Sequence, residues 1–181
     1  MLTNSQCEKL ASYSKNYIIS KFDPTFFVEI LSDNFNLPHE GFYISIEKAN
    51  GDLIAREGFL LKDQTDVLAS LNNVCSKILP VINNQKISIT DLKVCTFYFT
   101  LIHNHHYTSD PLNWNKDSDG VFFMWGQDYK GIYLPHQLKK MSYSKPEILD
   151  RLCCLECGLI SNLWKTPEGL VFRLSCQSFI G

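Results

Sequence analysis

Several groups of side chains in this chain have types and spacings that could carry chemistry. His103-Asn104-His105-His106 sets two imidazoles two residues apart, and on an extended segment His103 and His105 point to the same side. Two imidazoles are too few for a closed metal site. A third ligand would have to come from Asp110, Asp117 or Asp119 in the polar stretch that follows. A polar loop at a strand end accounts for the same residues without a metal, and no zinc-ligand spacing is present, so no metal is assigned.

Cys154-Leu155-Glu156-Cys157 has the CxxC spacing of redox and metal motifs, with Cys153 beside it. The redox version sits at a helix N-terminus, where the dipole lowers the thiol pKa. Here the spacing predicts the C-terminal end of a helix, where the dipole disfavours a thiolate. Core cysteines are therefore expected. Tyr107, Trp114, Trp125 and Tyr129 lie in or beside polar connections; they could line a cleft or a partner surface, or be half-buried under the loops. No G-x-S-x-G, H-E-x-x-H, P-loop or glycine-rich phosphate cradle is present. No catalytic residue and no cofactor is assigned.

These residues must be positioned by a chain of 181 residues, long enough for one domain with a real core. Hydrophobic residues make up 45% and charged residues 20%, an ordinary globular balance. No apolar run approaches the roughly eighteen residues of a membrane span. The start, MLTNSQCEKLASYSKNY, lacks the basic and apolar regions of a secretory signal. The net charge is −2, with both signs scattered, which speaks against nucleic acid as a partner. Seven cysteines, an odd number, suggest reduced thiols and a cytoplasmic or otherwise intracellular site.

Residues 5 to 21 place Cys7, Leu10, Ala11, Ser14, Tyr17 and Ile18 on one helical face. Asp23-Pro24 predicts a second, short helix through Phe26, Phe27, Ile30 and Leu31, ending near Asp33. Phe42 to Glu47 alternates as a strand. Asn50-Gly51 predicts a hairpin turn with positive φ at both central residues, and 52 to 61 returns. Residues 64 to 79 hold the clearest helix: Val67, Leu68, Leu71, Val74, Cys75, Ile78 and Leu79 share a face. Asp63 or Thr65 would cap it and Pro80 would stop it.

Leu92 to Ile102 reads as a long central strand, and His103 to Asp119 as a connection. Val121 to Trp125 and Lys130 to Leu134 pair through Gly126-Gln127-Asp128. Ser144-Lys145-Pro146-Glu147 has the form of a capping box, with Ile148, Leu149, Leu152, Cys153 and Leu155 at helical spacing behind it. Gly158 fits the left-handed residue that closes a helix. In the last strand, 170 to 179, alternation predicts Phe172, Leu174 and Cys176 inward, and Val171, Arg173, Ser175 and Gln177 outward. The order of elements favours α+β, a mostly antiparallel sheet flanked by helices.

The spacing of Gly131, Leu134-Pro135, Leu149, Cys154, Gly158-Leu159 and Trp164 resembles the AMMECR family, whose prokaryotic relatives are called AmmeMemoRadiSam protein A. The hairpin around Phe42 to Ile46 resembles the family's first hairpin. The resemblance implies a single AMMECR-like domain over 1–181: a large lobe of 1–59 plus 91–181, and a small inserted helical lobe of 60–90. It lays the family's RGCIG signature over Ile54-Ala55-Arg56-Glu57-Gly58, where only Gly58 matches. The family cysteine falls on Arg56, and a guanidinium is neither a nucleophile nor a metal ligand. Arg56 could instead bind a carboxylate or phosphate, or be a surface residue paired with Glu57 or a nearby acid.

Three functions are compatible with these residues. The first is a non-catalytic binding or adaptor protein with a degenerate signature site and a protein partner, contacting it through Arg56, Glu57, Gly58, Tyr107, Trp114 and Trp125. The second, implied by the family's association with Memo-type and radical-SAM proteins, is an enzyme or enzyme partner in a small-molecule or base-modification pathway. The third is metal binding through His103 and His105.

Overall fold

A computed structural model describes residues 2–29, 31, 35, 40–60 and 66–181. The chain is α+β, as expected, with an antiparallel sheet of six strands. The elements run α1 (Asn4–Ser20), β1 (Gly41–Glu47), β2 (Leu53–Leu60), α2 (Val67–Asn84), α3 (Ile89–Val94), β3 (Thr96–Tyr107), β4 (Asp119–Trp125), β5 (Tyr129–Tyr133), α4 (Pro135–Leu138), α5 (Lys145–Arg151) and β6 (Gly169–Ile180). The strand order is β2-β1-β3-β6-β4-β5. Among the described residues no helix is long and apolar enough to cross a membrane. The chain divides into two compact units, Met1–Leu101 with Ser178–Gly181, and Ile102–Gln177. Residues 67–94 belong to the first unit.

In the first unit, Thr3 caps α1: its hydroxyl accepts from the Gln6 N–H, and the Gln6 side chain returns to the Thr3 N–H at 2.9 Å. The helix buries Cys7, Leu10, Ala11, Ser14, Ile18 and Ile19. The expected face is present, with Ile19 buried and Tyr17 only half-buried. No helix follows at 26–29. Asp23 instead accepts from the Thr25 N–H and hydroxyl, and the Phe26 N–H closes a turn on the Asp23 carbonyl. This is the competition that Asp side chains offer to helical bonds. Ile30 and Asp33 of that expected helix, like Asp63 and Thr65, lie outside the described residues.

The β1–β2 hairpin forms where alternation predicts it, but its turn is of another type. The Gly51 N–H bonds to the Lys48 carbonyl and the Lys48 N–H to the Asp52 carbonyl. Only Gly51, at φ 89°, is left-handed. This is the three-residue loop ending on a left-handed glycine, rather than the two-residue turn. The register then slips once, pairing Ile46 with Ala55 and Glu47 with Leu53. Ile54 is thus an extra residue, a bulge, and both Ile54 and Ala55 are buried.

Two helical boundaries differ from expectation. Asp66 caps α2, accepting from the Ala69 N–H at 3.1 Å, and the helix passes through Pro80 to Asn84. Pro80 and Ser76 are both exposed, so the carbonyl that Pro80 leaves without its helical donor faces water. Burial of Ile78 and Ile82 holds the turns on either side. Leu92 to Val94 are not strand. Ser88 caps α3, its oxygen accepting from the Asp91 N–H and its hydroxyl donating to the Asp91 carboxylate. The strand therefore starts at Thr96 and continues through His103 to Tyr107, a segment expected as loop.

In the second unit β4 pairs with β5 from Val121–Tyr133 to Trp125–Tyr129, around a left-handed Gly126 at φ 62°. The capping box at Ser144 is present: the Glu147 carboxylate accepts from the Ser144 N–H at 2.8 Å and its hydroxyl at 2.6 Å. The helix it opens is α-helical only to Arg151. Leu152–Glu156 form a π turn, closed by the Cys157 N–H on the Leu152 carbonyl, and Gly158 ends it at φ 66° as predicted. Gly131 of β5 lies under this turn. A Cβ there would meet the Glu156 Cβ at 2.8 Å and the Cys157 Sγ at 2.9 Å. Val121, Phe123, Tyr133, Ile148, Leu149, Leu152, Cys153, Trp164 and Val171 form the core. Val171 is therefore inside, contrary to the alternation read from β6, while Leu174 is fully buried as that alternation has it. Val171 pairs with Phe123 on the side that α5 covers.

Candidate functional site

Arg56, Glu57 and Gly58 lie on β2 in the first unit. Strand register pairs Ser45 with Arg56, Ile44 with Glu57, and Tyr43 with Gly58. Directly paired residues share a face, so Tyr43, Ser45, Arg56 and Gly58 project to one side. Glu57 projects to the other, beside the core residue Ile44. Arg56, Glu57 and Gly58 are all half-buried. The Ser45 hydroxyl is buried and has no hydrogen-bond partner among the described residues. Burial pushes the Tyr43 phenol up to about 12; the Arg56 charge opposes this and Glu57 adds to it.

Gly58 has a packing cause. A Cβ built on it would stand 2.2 Å from the Phe42 carbonyl oxygen and 2.6 Å from the Tyr43 ring. The Tyr43 ring fills the space that a ligand at Gly58 would need. Arg56 is the charged group of this face, beside the Ser45 and Tyr43 hydroxyls.

The expected aromatic residues in the second unit separate into two classes. Trp114 is 3% exposed, and its indole N–H donates to the Pro111 carbonyl at 3.0 Å. It is a core residue; Lys145 lies 5.4 Å from its ring. Trp125 is half-buried against Tyr129, with ring centres 5.7 Å apart. Tyr107 is 59% exposed at the end of β3. Its ring stands 5.9 Å from that of Phe172, which also stands 5.9 Å from His105 and 5.8 Å from Phe122.

Phe122 pairs with Phe172 and Met124 with Leu170 across β4 and β6, and all four are half-buried. Their alternate neighbours, Val121, Phe123 and Val171, are sealed in the core. Within this unit the same strands thus have one closed face and one apolar face that is closed at Leu174 and partly open from Phe172 to Leu170. Phe122 is not singled out in the sequence, and Phe172 is expected there as an inward residue of the last strand, whereas it is half-buried on the opposite face from Val171. Their pairing with one another is a property of register, which only the folded sheet defines.

Asp110 accepts from the Leu112 N–H and Asp119 from the Asn115 N–H, so two of the carboxylates considered as ligands with His103 and His105 serve loop turns. Among the described residues no three His, Cys, Asp or Glu side chains gather as a metal site.

All seven cysteines are free. Burial is the main cause that pushes Cys7 and Cys153 up to about 11, and Cys75, Cys157 and Cys176 up to about 12. A thiol so placed is a poor nucleophile at neutral pH. Of the three cysteines expected in the core only Cys153 is fully buried: the π turn leaves Cys154 exposed and Cys157 half-buried at its end.

Among the described residues the first unit has depressions beside α1 and beside the β1–β2 turn. Two adjoin α1 and share Tyr13, Glu29 and Leu31. Another, about 450 Å³, lies between the β1–β2 turn and the α2–α3 connection. Its rim carries Lys48 and Lys86, neither of which was singled out in the sequence.

No protein-family model matches the chain, and no curated protein matches it. The fold has a solved counterpart. An uncharacterized protein of Pyrococcus horikoshii superimposes with a TM-score of 0.76 over 99% of this chain and 93% of its own, at 13% sequence identity. The chain is similar to that protein in fold.

Proposed function

We propose that this chain is a non-catalytic binding protein on an AMMECR-like fold, and that it engages a protein partner through the partly open face of the second unit. The observation that carries this reading is the aromatic cluster of Tyr107, His105, Phe122 and Phe172, continued by Met124 and Leu170. An apolar sheet face left partly open beside a closed core is the usual composition of a contact surface.

The family reading is supported by the roles of its pattern residues. Gly131 admits the π turn, Leu134 and Leu149 are fully buried, Gly158 is left-handed, and Trp164 is buried with its indole N–H on Asp150 at 2.8 Å. These positions, unlike the exposed Cys154 of the same pattern, serve packing, which a binding protein shares with any catalytic relative. The non-catalytic reading is supported by Arg56, standing where the family has its cysteine, and by the raised thiols. Seven free cysteines suit a reducing, intracellular compartment.

The test is photo-crosslinking from benzoylphenylalanine placed at Tyr107, with placements at the exposed Leu155 and Ile160 as controls. The expected result, in extract of the source cells, is one discrete product from position 107. Excess wild-type protein should suppress it, and excess Phe172→Glu protein should not. The same products from all three positions would refute the proposed face. A metal or small molecule retained in native mass spectra, with turnover of that molecule, would refute the non-catalytic reading.

A further inference from the structure

The 450 Å³ depression of the first unit has a composition that its neighbours lack. Lys48 and Asn50 come from the β1–β2 turn, Ile54 from the bulge, Lys86 and Ile87 from the α2–α3 connection, and Val94 from the end of α3. The two sides are tied together by the Gln85 amide, which donates to the Ile54 carbonyl at 2.8 Å. Ala49, Ile54, Ile87 and Val94 give it an apolar side, and Val94 is exposed at the rim. The volume lies in the range of sites that take small organic molecules.

The charges are unbalanced. Among the described residues neither Lys48 nor Lys86 has an ion-pair or hydrogen-bond partner for its amine. One carboxylate, Asp91, adjoins the depression, and it already accepts from the Ser88 hydroxyl at 2.7 Å. Cys95 closes the back, its thiol donating to the Asp91 carbonyl. Burial, then Asp91, raises that thiol's pKa, while Lys48 and Lys15 lower it.

Lys86 adds an independent sign. It is left-handed at φ 53°, just past the end of α2, with its N–H on the Asn83 carbonyl and the Ile87 N–H on the Ile82 carbonyl. Glycine takes this position without strain, and lysine does not. Strain held in a backbone beside a cavity marks a side chain kept for something other than stability.

We propose that this depression binds a small organic phosphate, its charged end held by Lys48 and Lys86 and its apolar body lying on Ile54, Ile87 and Val94. Lysine serves phosphate as a compact point charge, and the apolar side selects an ester over the inorganic ion. The site is separate from the proposed protein-binding face and stands or falls without it.

The experiment is an amide NMR titration of the full chain with phenyl phosphate, inorganic phosphate and benzyl alcohol in parallel. Phenyl phosphate should give saturable shifts at Lys48, Asn50, Lys86, Ile87 and Val94. It should bind more tightly than either fragment, and more weakly as salt is raised. Lys48→Ala should weaken it roughly three- to tenfold. Lys86→Gly is the decisive variant, because it should raise the melting temperature while weakening phenyl phosphate by a similar factor. Equal binding by Lys86→Gly and wild type, equal binding of benzyl alcohol and phenyl phosphate, or shifts that fail to saturate at these residues would each overturn the proposal.

Discussion

Replacing Gly58 by Ala tests whether this glycine, the one residue of the hairpin shared with the family signature, is held by packing. The new Cβ would stand 2.2 Å from the Phe42 carbonyl oxygen and 2.6 Å from two atoms of the Tyr43 ring. Favourable non-bonded separations are about 3.5 Å or more, so strand or ring must move by about an ångström. β1 is an interior strand and β2 is the sheet edge; β2 is therefore the element that yields. Over-packing of this kind costs about 1–3 kcal/mol, and two clashes, one with backbone, put Gly58 near the top of that range. Alanine recovers roughly 0.4–1 kcal/mol by restricting the unfolded chain. The net loss is then about 2 kcal/mol.

In urea this should lower the unfolding midpoint by roughly 1 M, at a slope of about 2 kcal/mol/M and with that slope unchanged. In a Tyr43→Ala background the further cost of Gly58→Ala should shrink, because one of the two clashes is gone. A midpoint within about 0.2 M of wild type would refute the packing account and reopen a ligand-contact role for Gly58.

Gly158 offers the opposite case: it is left-handed, and a Cβ added there would meet nothing within 4 Å, so Gly158→Val should lose about 1–2 kcal/mol through the backbone alone, and an unchanged melting temperature would overturn its role as the cap. Asp66→Ala should remove about 1 kcal/mol with the α2 cap, read by urea titration, whereas the same change at a residue with no capping bond should not. A disulfide reagent should modify Cys154 rapidly and Cys7, Cys75 and Cys153 only on unfolding; rapid loss of several thiols in the native state would contradict their burial. Cys75 and Tyr43 are both raised to about 12, from ordinary values of 9 and 10. The unfolded chain loses these protons first, so their contribution to stability is complete below pH 9 and falls as pH rises from 9 to 12. Urea midpoints that stay flat across that window would refute it.

Several elements set by one local interaction agree with what the residues spell out, although Asp23-Pro24 and Asn50-Gly51 do not. The capping box at Ser144, the left-handed Gly158, the face of α1 and the β4–β5 hairpin each depend on neighbours a few positions away, and each is where the sequence puts it. The errors have local causes too, once they are seen. Ser88 and Asp91 form a cap that competes with the strand read from Leu92, and Pro80 is tolerated because its orphaned carbonyl faces water.

What the sequence by itself determined is the α+β class and the position of most strands and helices, because those follow from periodicity and caps. The inner face of β6 was decided only by tertiary structure. Val171 and Phe172 are both apolar, and alternation is silent on which side a helix will cover. Trp114 was likewise legible as an aromatic residue in a polar stretch, but only the fold closes a core around it. The Tyr107–Phe172–Phe122 cluster and the Lys48–Lys86 depression join residues from separate elements. Such groupings arise from strand register and helix docking, which are long-range contacts with no signature in the neighbouring sequence.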